Sequence, residues 1–434
     1  MPVSKELWTY YLIRLLAFPF QWMPYSWIHA IGNCLGIILF YSMPTYRKRT
    51  FSNLSLAKEL NLSKTDLMKI AKQSFQNLAI VCLEYPRLSA EKHLSSSIFC
   101  ENPKQAEALH QQGQGIIFFC AHLSNWEVLF LEGTSRMQGI AIGKPIKNKS
   151  LYRWILSIRE KYGGRIVTQR NALIEGIRAL KKGVFVGIVG DQGMPSSGYC
   201  SPFLGRNAWS STAPALLAYR TNSPIIVAWT MRVSGGYRIR YSDPIWPDQS
   251  LPIEKEIPRM MTESFVILEN KIKEQPGEWL WQHNRWKQQT PKNIYKQFRH
   301  DSICIILPED KTILDTLLPH LHTFREIYPL DFLFLCAPNH CRGSLLFEAD
   351  EIFFYSNVRE TLLPDYRCKL IFNLTDEKKI RKHYLSLSAF EVLDLKTLQT
   401  LSKPHLPLHL ANDFSAILKR ALCRPGSLWE KENA

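Results

Sequence analysis

The stretch Gly115-Ile-Ile-Phe-Phe-Cys-Ala-His-Leu-Ser-Asn-Trp-Glu127 decides how the chain is read. Its apolar run, Ile116 to Cys120, is rich in β-branched and aromatic residues and reads as a buried strand. Ala121-His122 ends the run. Ser124 then reads as a helix N-cap, with Glu127 at the third helical position. A histidine is thereby placed in a strand-to-helix turn, where side chains reach substrates. A carboxylate follows it in the first turn of the next helix.

Histidine, four residues, then an acidic residue resembles the pattern of glycerolipid-type acyltransferases, a resemblance that implies acyl transfer from a thioester to a hydroxyl. The step needs a base to take the hydroxyl proton as oxygen attacks the carbonyl. Neutral imidazole, with an ordinary pKa of about 6.5, suits that task near neutral pH. A carboxylate on its other nitrogen fixes the tautomer and stabilises the imidazolium. No serine or cysteine nucleophile is then required. A second reading stands beside this one: Ser124-Asn-Trp-Glu127 also spells a capping box, in which Glu127 ties back to the Ser124 amide.

Downstream, strand and helix signals alternate. Ile140 to Ile142, Arg165 to Val167, Val184 to Val189 and Ile225 to Thr230 are strand-like. Helices are expected over Ser150 to Tyr162, after Asn171, and over Thr212 to Tyr219. Upstream, Ser63 opens a packing helix and Gln105 to Gln112 form another. Alternation with short links indicates an α/β domain with a largely parallel sheet and flanking helices. Ligands in such sheets sit beyond the carboxyl ends of the strands. His122 and Asp191 each follow directly on a strand, so one crevice can take both. Between them runs a series of cations: Lys144, Lys147, Lys149, Arg153, Arg159, Lys161, Arg165 and Arg170. They suit phosphate or an acidic protein, or form a solvated face. Arg159 lies beside Ile155 and Ile158, which half-buries its stem and aims its head at the crevice.

The 434 residues carry a formal net charge of +16, unevenly spread. Residues 301–434 hold 16 Lys+Arg against 18 Asp+Glu, and the first 300 hold 38 against 20. Such a basic surface suits phosphorylated lipid or an acidic carrier protein. No nucleic-acid-binding motif of the usual kinds is present, so no nucleic-acid partner is expected. The ten cysteines have no framework spacing and read as reduced thiols in a cytosol-facing protein. Cys336 and Cys341 lack a second ligand pair, so no metal is expected.

Leu7 to Met43 is apolar and aromatic, broken by Arg14, Pro19, Gln21 and Pro24. It is marginal in length for a span; a short span and a helix lying in the interface both fit, with a buried helical hairpin as the alternative. Arg47-Lys48-Arg49 follows and places the rest of the chain on the cytoplasmic side. Gln275 to Lys287 is dense in tryptophan and cations, which suits either a membrane interface or a core.

Taken together these segments resemble the lipid A late acyltransferase family, relatives of the lysophospholipid acyltransferases. The matching pieces are Ala121-His-Leu-Ser-Asn-Trp-Glu127, Arg159 with Gly163-Gly164, Ile177 to Gly183 and Gly190-Asp-Gln192. Pro202-Phe-Leu-Gly205, Ala213-Pro214, Pro224 to Val227 and Pro276 to Lys287 continue the match in order. The resemblance implies a glycerolipid-acyltransferase-like sheet. It also implies transfer of a fatty acyl group from acyl carrier protein to a hydroxyl of an acylated, phosphorylated glucosamine disaccharide. The acyl group would ride on the carrier's phosphopantetheine, with no other cofactor. By the same resemblance His122 is the base and Glu127 its orienting partner. Arg159, Lys144, Asn125, Asp191 and Gln192 would bind substrate or shape the site, at the cytoplasmic side of a bacterial inner membrane. Lys144 stands where relatives often carry arginine. Alternatives are a lysophospholipid or other glycolipid acceptor, and a non-catalytic membrane-associated binding protein.

The expected division is a membrane anchor over 1–45, an acyltransferase domain over 46–298 and an accessory α/β domain over 299–434. In the last, Ile303 to Leu307, Phe332 to Cys336, Glu351 to Phe354, Leu370 to Phe372 and Val392 to Leu395 read as strands. This part is faintly similar to one nucleotide-binding-like half of a heptosyltransferase, without the Gly-Asp pair after the first strand. A docking or stabilising role is expected, with Trp429 and the tail beyond it frayed.

Overall fold

A computed structural model describes residues 5–94, 97–343 and 345–424; Trp429 and the tail lie outside them. The chain divides into two compact units, one of residues 1–43 and 64–283, the other of 44–63 and 284–434. The boundary therefore falls after His283 rather than at 298. Residues 44–45, expected in the anchor, and 46–63, expected in the acyltransferase domain, group with the C-terminal third.

The first unit opens with helices α1 (Lys5–Ala17) and α2 (Tyr25–Ser42). The second unit claims α3 (Pro44–Leu56), and the long α4 (Lys64–Ala90) returns to the first. Then follow β1 (Ile98–Cys100), α5 (Lys104–Gln111), β2 (Ile117–Cys120), α6 (Glu127–Thr134) and β3 (Gly139–Gly143). After these come α7 (Lys149–Arg159), β4 (Arg165–Thr168), α8 (Ala172–Leu180) and β5 (Phe185–Val189). A hairpin, β6 (Tyr199–Phe203) and β7 (Arg206–Ser210), precedes α9 (Ala213–Thr221). The unit closes with β8 (Ile225–Val233), β9 (Gly236–Tyr241) and α10 (Ile253–Glu274).

Seven strands form one sheet in the order β1-β9-β8-β2-β5-β3-β4. Neighbours run parallel except β8 and β9, which are antiparallel. The strand read from Ile116 to Cys120 is the middle one, and all four residues of β2 are buried. Burial on both faces is why its sequence is continuously apolar rather than alternating. Its register with β5 pairs Cys120 with Val189. His122 and Asp191, each two residues past that pair, consequently leave the sheet side by side.

Helix α2 lies against α4 through Tyr25, Ile28, Gly32, Gly36 and Phe40, which are buried. A Cβ on Gly36 would stand 2.3 Å from the Gln76 Cα, so glycine permits that approach. The opposite faces of these N-terminal helices are apolar and exposed. On α1 they include Trp8, Tyr11, Leu12, Leu15 and Leu16, spaced as one helical face, and on α2 Trp27, Ile31, Ile38 and Tyr41. Among the described residues no single helix is long and apolar enough to cross a membrane; α2 and α3 meet that criterion only as an interrupted pair.

The second unit has a parallel sheet of β10 (Ser302–Ile306), β11 (Phe332–Pro338), β12 (Glu351–Tyr355), β13 (Leu370–Asn373) and β14 (Glu391–Asp394). Their order, β12-β11-β10-β13-β14, is that of a doubly wound fold. All five strands read from the sequence are present. Helix α3 is bound into this unit: Ser52 Oγ donates to the Arg367 carbonyl at 2.6 Å. Lys369 Nζ, 2% exposed, meets Asp301 at 2.6 Å and Asn284 at 2.8 Å, with Asn53 of α3 at 3.4 Å.

Candidate active site

The turn after β2 is held from both sides. The Leu280 amide donates to the His122 carbonyl at 3.1 Å, and the Ser124 amide donates to the Glu278 carbonyl at 2.9 Å. From α4, Ser74 Oγ donates to the Trp279 carbonyl and Asn77 Nδ2 to the carbonyls of Ser124 and Glu278. The tryptophan-dense segment is thus a brace: Trp279 and Trp281 are 2% and 0% exposed, which decides for core over membrane interface.

Ser124 does not cap α6. Its φ is +52° and its hydroxyl is buried without a hydrogen-bond partner among the described residues. The helix begins at Glu127, whose amide is accepted by Asn125 Oδ1 at 3.1 Å. Asn125 Nδ2 donates to Glu84 Oε2 at 2.6 Å. Both ends of the Asn125 carboxamide are occupied and the residue is fully buried, so it braces the turn instead of reaching substrate. Glu84, also fully buried, gathers further donors from Tyr237 and His29.

Glu127 does not orient the imidazole. Arg159 grips it with a fork, Nε to Oε2 at 2.8 Å and Nη2 to Oε1 at 2.5 Å, while Nη2 also reaches the Tyr85 hydroxyl at 3.1 Å. Burial would raise the Glu127 carboxyl, but the guanidinium, the Tyr85 hydroxyl and His122 outweigh it and hold it below the carboxylate range. This planar, bidentate match is one only arginine makes. It also commits two of the arginine's nitrogens, leaving less of the fork for a phosphate than expected. Lys144 is exposed just past β3.

The partner of His122 is Asp191. Its Oδ1 lies 2.7 Å from His122 Nδ1. Its Oδ2 accepts the His122 amide at 2.8 Å and the Trp279 indole Nε1–H at 2.6 Å. Burial pushes this carboxyl up; His122 and the three donors pull it down further, to about 2. An ionised carboxylate can only accept, so His122 Nδ1 carries the proton and Nε2 keeps its lone pair. Gln192 Nε2 stands 3.3 Å from that Nε2 and 3.1 Å from Nε2 of His283.

Beneath the turn is an apolar cleft lined among others by Phe118, Cys120, Trp126, Phe130, Phe185 and Gly187. The Trp126 ring centroid is 4.7 Å from that of His122, so the imidazole stands beside the wall of the cleft. Among the described residues, no group of three His, Cys, Asp or Glu side chains could hold a metal ion.

An oriented imidazole beside an apolar cleft is an arrangement that suits acyl transfer. The family model for bacterial lipid A biosynthesis acyltransferases matches residues 4–288, spanning the first unit's strands and the whole turn. The chain belongs to that family. No curated protein matches it. Within this acyltransferase the sequence had pointed to His122, Asp191, Gln192 and Arg159, which the fold gathers at one turn. Tyr85, Trp279 and His283 were not singled out. For Trp279 and His283 the signal was the tryptophan-dense segment that holds both; Tyr85 gave none.

Proposed function

We propose that this acyltransferase passes a fatty acyl group from acyl carrier protein to a hydroxyl of an acylated, phosphorylated glucosamine disaccharide, with His122 as general base. The observation that carries the reading is the 2.7 Å bond between His122 Nδ1 and Asp191 Oδ1, which leaves Nε2 as the lone-pair nitrogen. The acceptor hydroxyl gives its proton to Nε2 as its oxygen attacks the thioester carbonyl. The carbon–sulfur bond breaks, and the imidazolium returns the proton to the leaving sulfur. Asp191 stabilises the imidazolium in between. The apolar cleft beside Trp126 takes the acyl chain, its lining being almost wholly hydrocarbon and aromatic.

The protein acts at the inner membrane, on its cytoplasmic side. The exposed apolar face of α1 supports this, as does its seat on α7, where Asn148 donates to the Glu6 carbonyl at 2.6 Å. Exposed Lys144, Lys147, Lys149 and Arg153 ring that region and suit anionic lipid or an acidic carrier. The test is acyl transfer from acyl carrier protein to the lipid A precursor, with lysophosphatidic acid as the competing acceptor. Wild type is expected to acylate the disaccharide and His122→Ala is expected to acylate neither. Preference for the lysophospholipid, or an active His122→Ala, refutes the proposal.

A further inference from the structure

We propose that Gln192 is a displaceable stopper on the basic nitrogen of His122, parked by His283, and that it sets the preference for an acceptor hydroxyl over water. The inference rests on His122 being the base. Because His122 Nδ1 is committed to Asp191 Oδ1 at 2.7 Å, its Nε2 is an acceptor. The carboxamide nitrogen of Gln192, not its oxygen, therefore faces it at 3.3 Å. The same NH2 group has a second proton, and Nε2 of His283 lies 3.1 Å away to take it. One amide thus closes two imidazole lone pairs, whose ring centroids are 5.3 Å apart.

A base left open beside a bound thioester activates whatever hydroxyl reaches it, and water reaches it first. Attack by water breaks the same carbon–sulfur bond and gives a free acid and a thiol, with the water proton passing through His122 to sulfur. Attack by the acceptor gives an ester and the same thiol. The stopper blocks both until something displaces it. A large acceptor held elsewhere on the site carries its own hydroxyl into the position of the amide, and binding at distant groups drives that exchange. A lone water has no such second hold. His283, exposed and at the end of the first unit, gives the displaced amide a place to stay hydrogen-bonded.

Thiol release from a medium-chain acyl-pantetheine thioester, with and without the disaccharide acceptor, tests this. Gln192→Ala is expected to raise the ratio of hydrolysis to transfer by about three- to tenfold, the worth of one ordinary hydrogen bond. His283→Ala, at an exposed position, is expected to move the ratio the same way by less. His122→Ala is expected to release no enzyme-dependent thiol in either condition. Equal scaling of hydrolysis and transfer in both the Gln192 and His283 variants, with His122→Ala inactive, overturns the stopper alone. Release that survives His122→Ala overturns the base and the stopper together.

Discussion

Replacing Asp191 by asparagine probes the site most sharply, because the surroundings dictate which way the new amide must turn. Two N–H donors, the His122 amide at 2.8 Å and the Trp279 indole at 2.6 Å, converge on Oδ2. The asparagine oxygen has to take that place, since an NH2 group there would face two donors. Its nitrogen then falls on His122 Nδ1. An imidazole that accepts at Nδ1 carries its proton on Nε2 and has no lone pair for the acceptor hydroxyl. Wrong tautomer plus a lost counter-charge costs about 10⁴-fold in kcat where an aspartate orients a catalytic histidine. That is the loss expected in acyl transfer to the lipid A precursor. Alanine does not impose the wrong tautomer, so Asp191→Asn is expected to be no more active than Asp191→Ala. An asparagine variant within tenfold of wild type, or clearly better than alanine, refutes the assignment.

The same substitution has a signature in stability. Asp191 is held at about 2 against an ordinary 3.8. A depressed carboxyl contributes stability above its unfolded value that is lost as pH falls through its folded one. The contribution here is about 2 kcal/mol, lost between about pH 4 and pH 2. Unfolding measured across that window should be less pH-dependent in Asp191→Asn than in wild type.

Arg159→Ala leaves the 7%-exposed Glu127 buried and unpaired, which is expected to cost about 3–5 kcal/mol and show as an early thermal transition. The double variant Arg159→Met/Glu127→Leu should be less damaged than either single change; additive losses refute the pairing. At Gly187 a Cβ meets only ordinary contacts, Ala141 at 3.5 Å and Phe130 at 3.8 Å. Gly187→Leu is therefore expected to fold and to shorten the preferred acyl chain, by about fourfold in kcat/KM per excluded methylene, read with a series of acyl thioesters. Leu15→Ser/Leu16→Ser removes two side chains 71% and 65% exposed. Flotation with anionic vesicles should show weaker binding, with soluble-acceptor kinetics preserved; undiminished flotation refutes α1 as the membrane-facing helix.

Much of the fold was legible because its signals are local. The run from Ile116 to Cys120 is apolar since β2 is buried on both faces, and β10, β11 and β13 announced themselves similarly. The strands β1, β6, β7 and β9 were missed: β1 has three residues, and the alternation in Gly236–Tyr241, the pattern of a half-buried strand, was passed over. The assignment of residues 44–63 was invisible, because nothing in α3 names Arg367 or Lys369 as its partners more than three hundred residues away.

The same division holds at the site. Sequence alone determined that a histidine ends a buried strand, that an acidic residue follows at the head of a helix, and that Asp191 ends another strand. Read alone, it named Glu127 as the partner and left Asp191 only to shape the site, which the structure reverses. Tertiary structure chose, for a geometric reason. The β2–β5 register delivers His122 and Asp191 two residues past one paired position, side by side. Helix α7 meanwhile brings Arg159 onto Glu127, whose carboxylate, buried and bidentate, is no longer available to the imidazole.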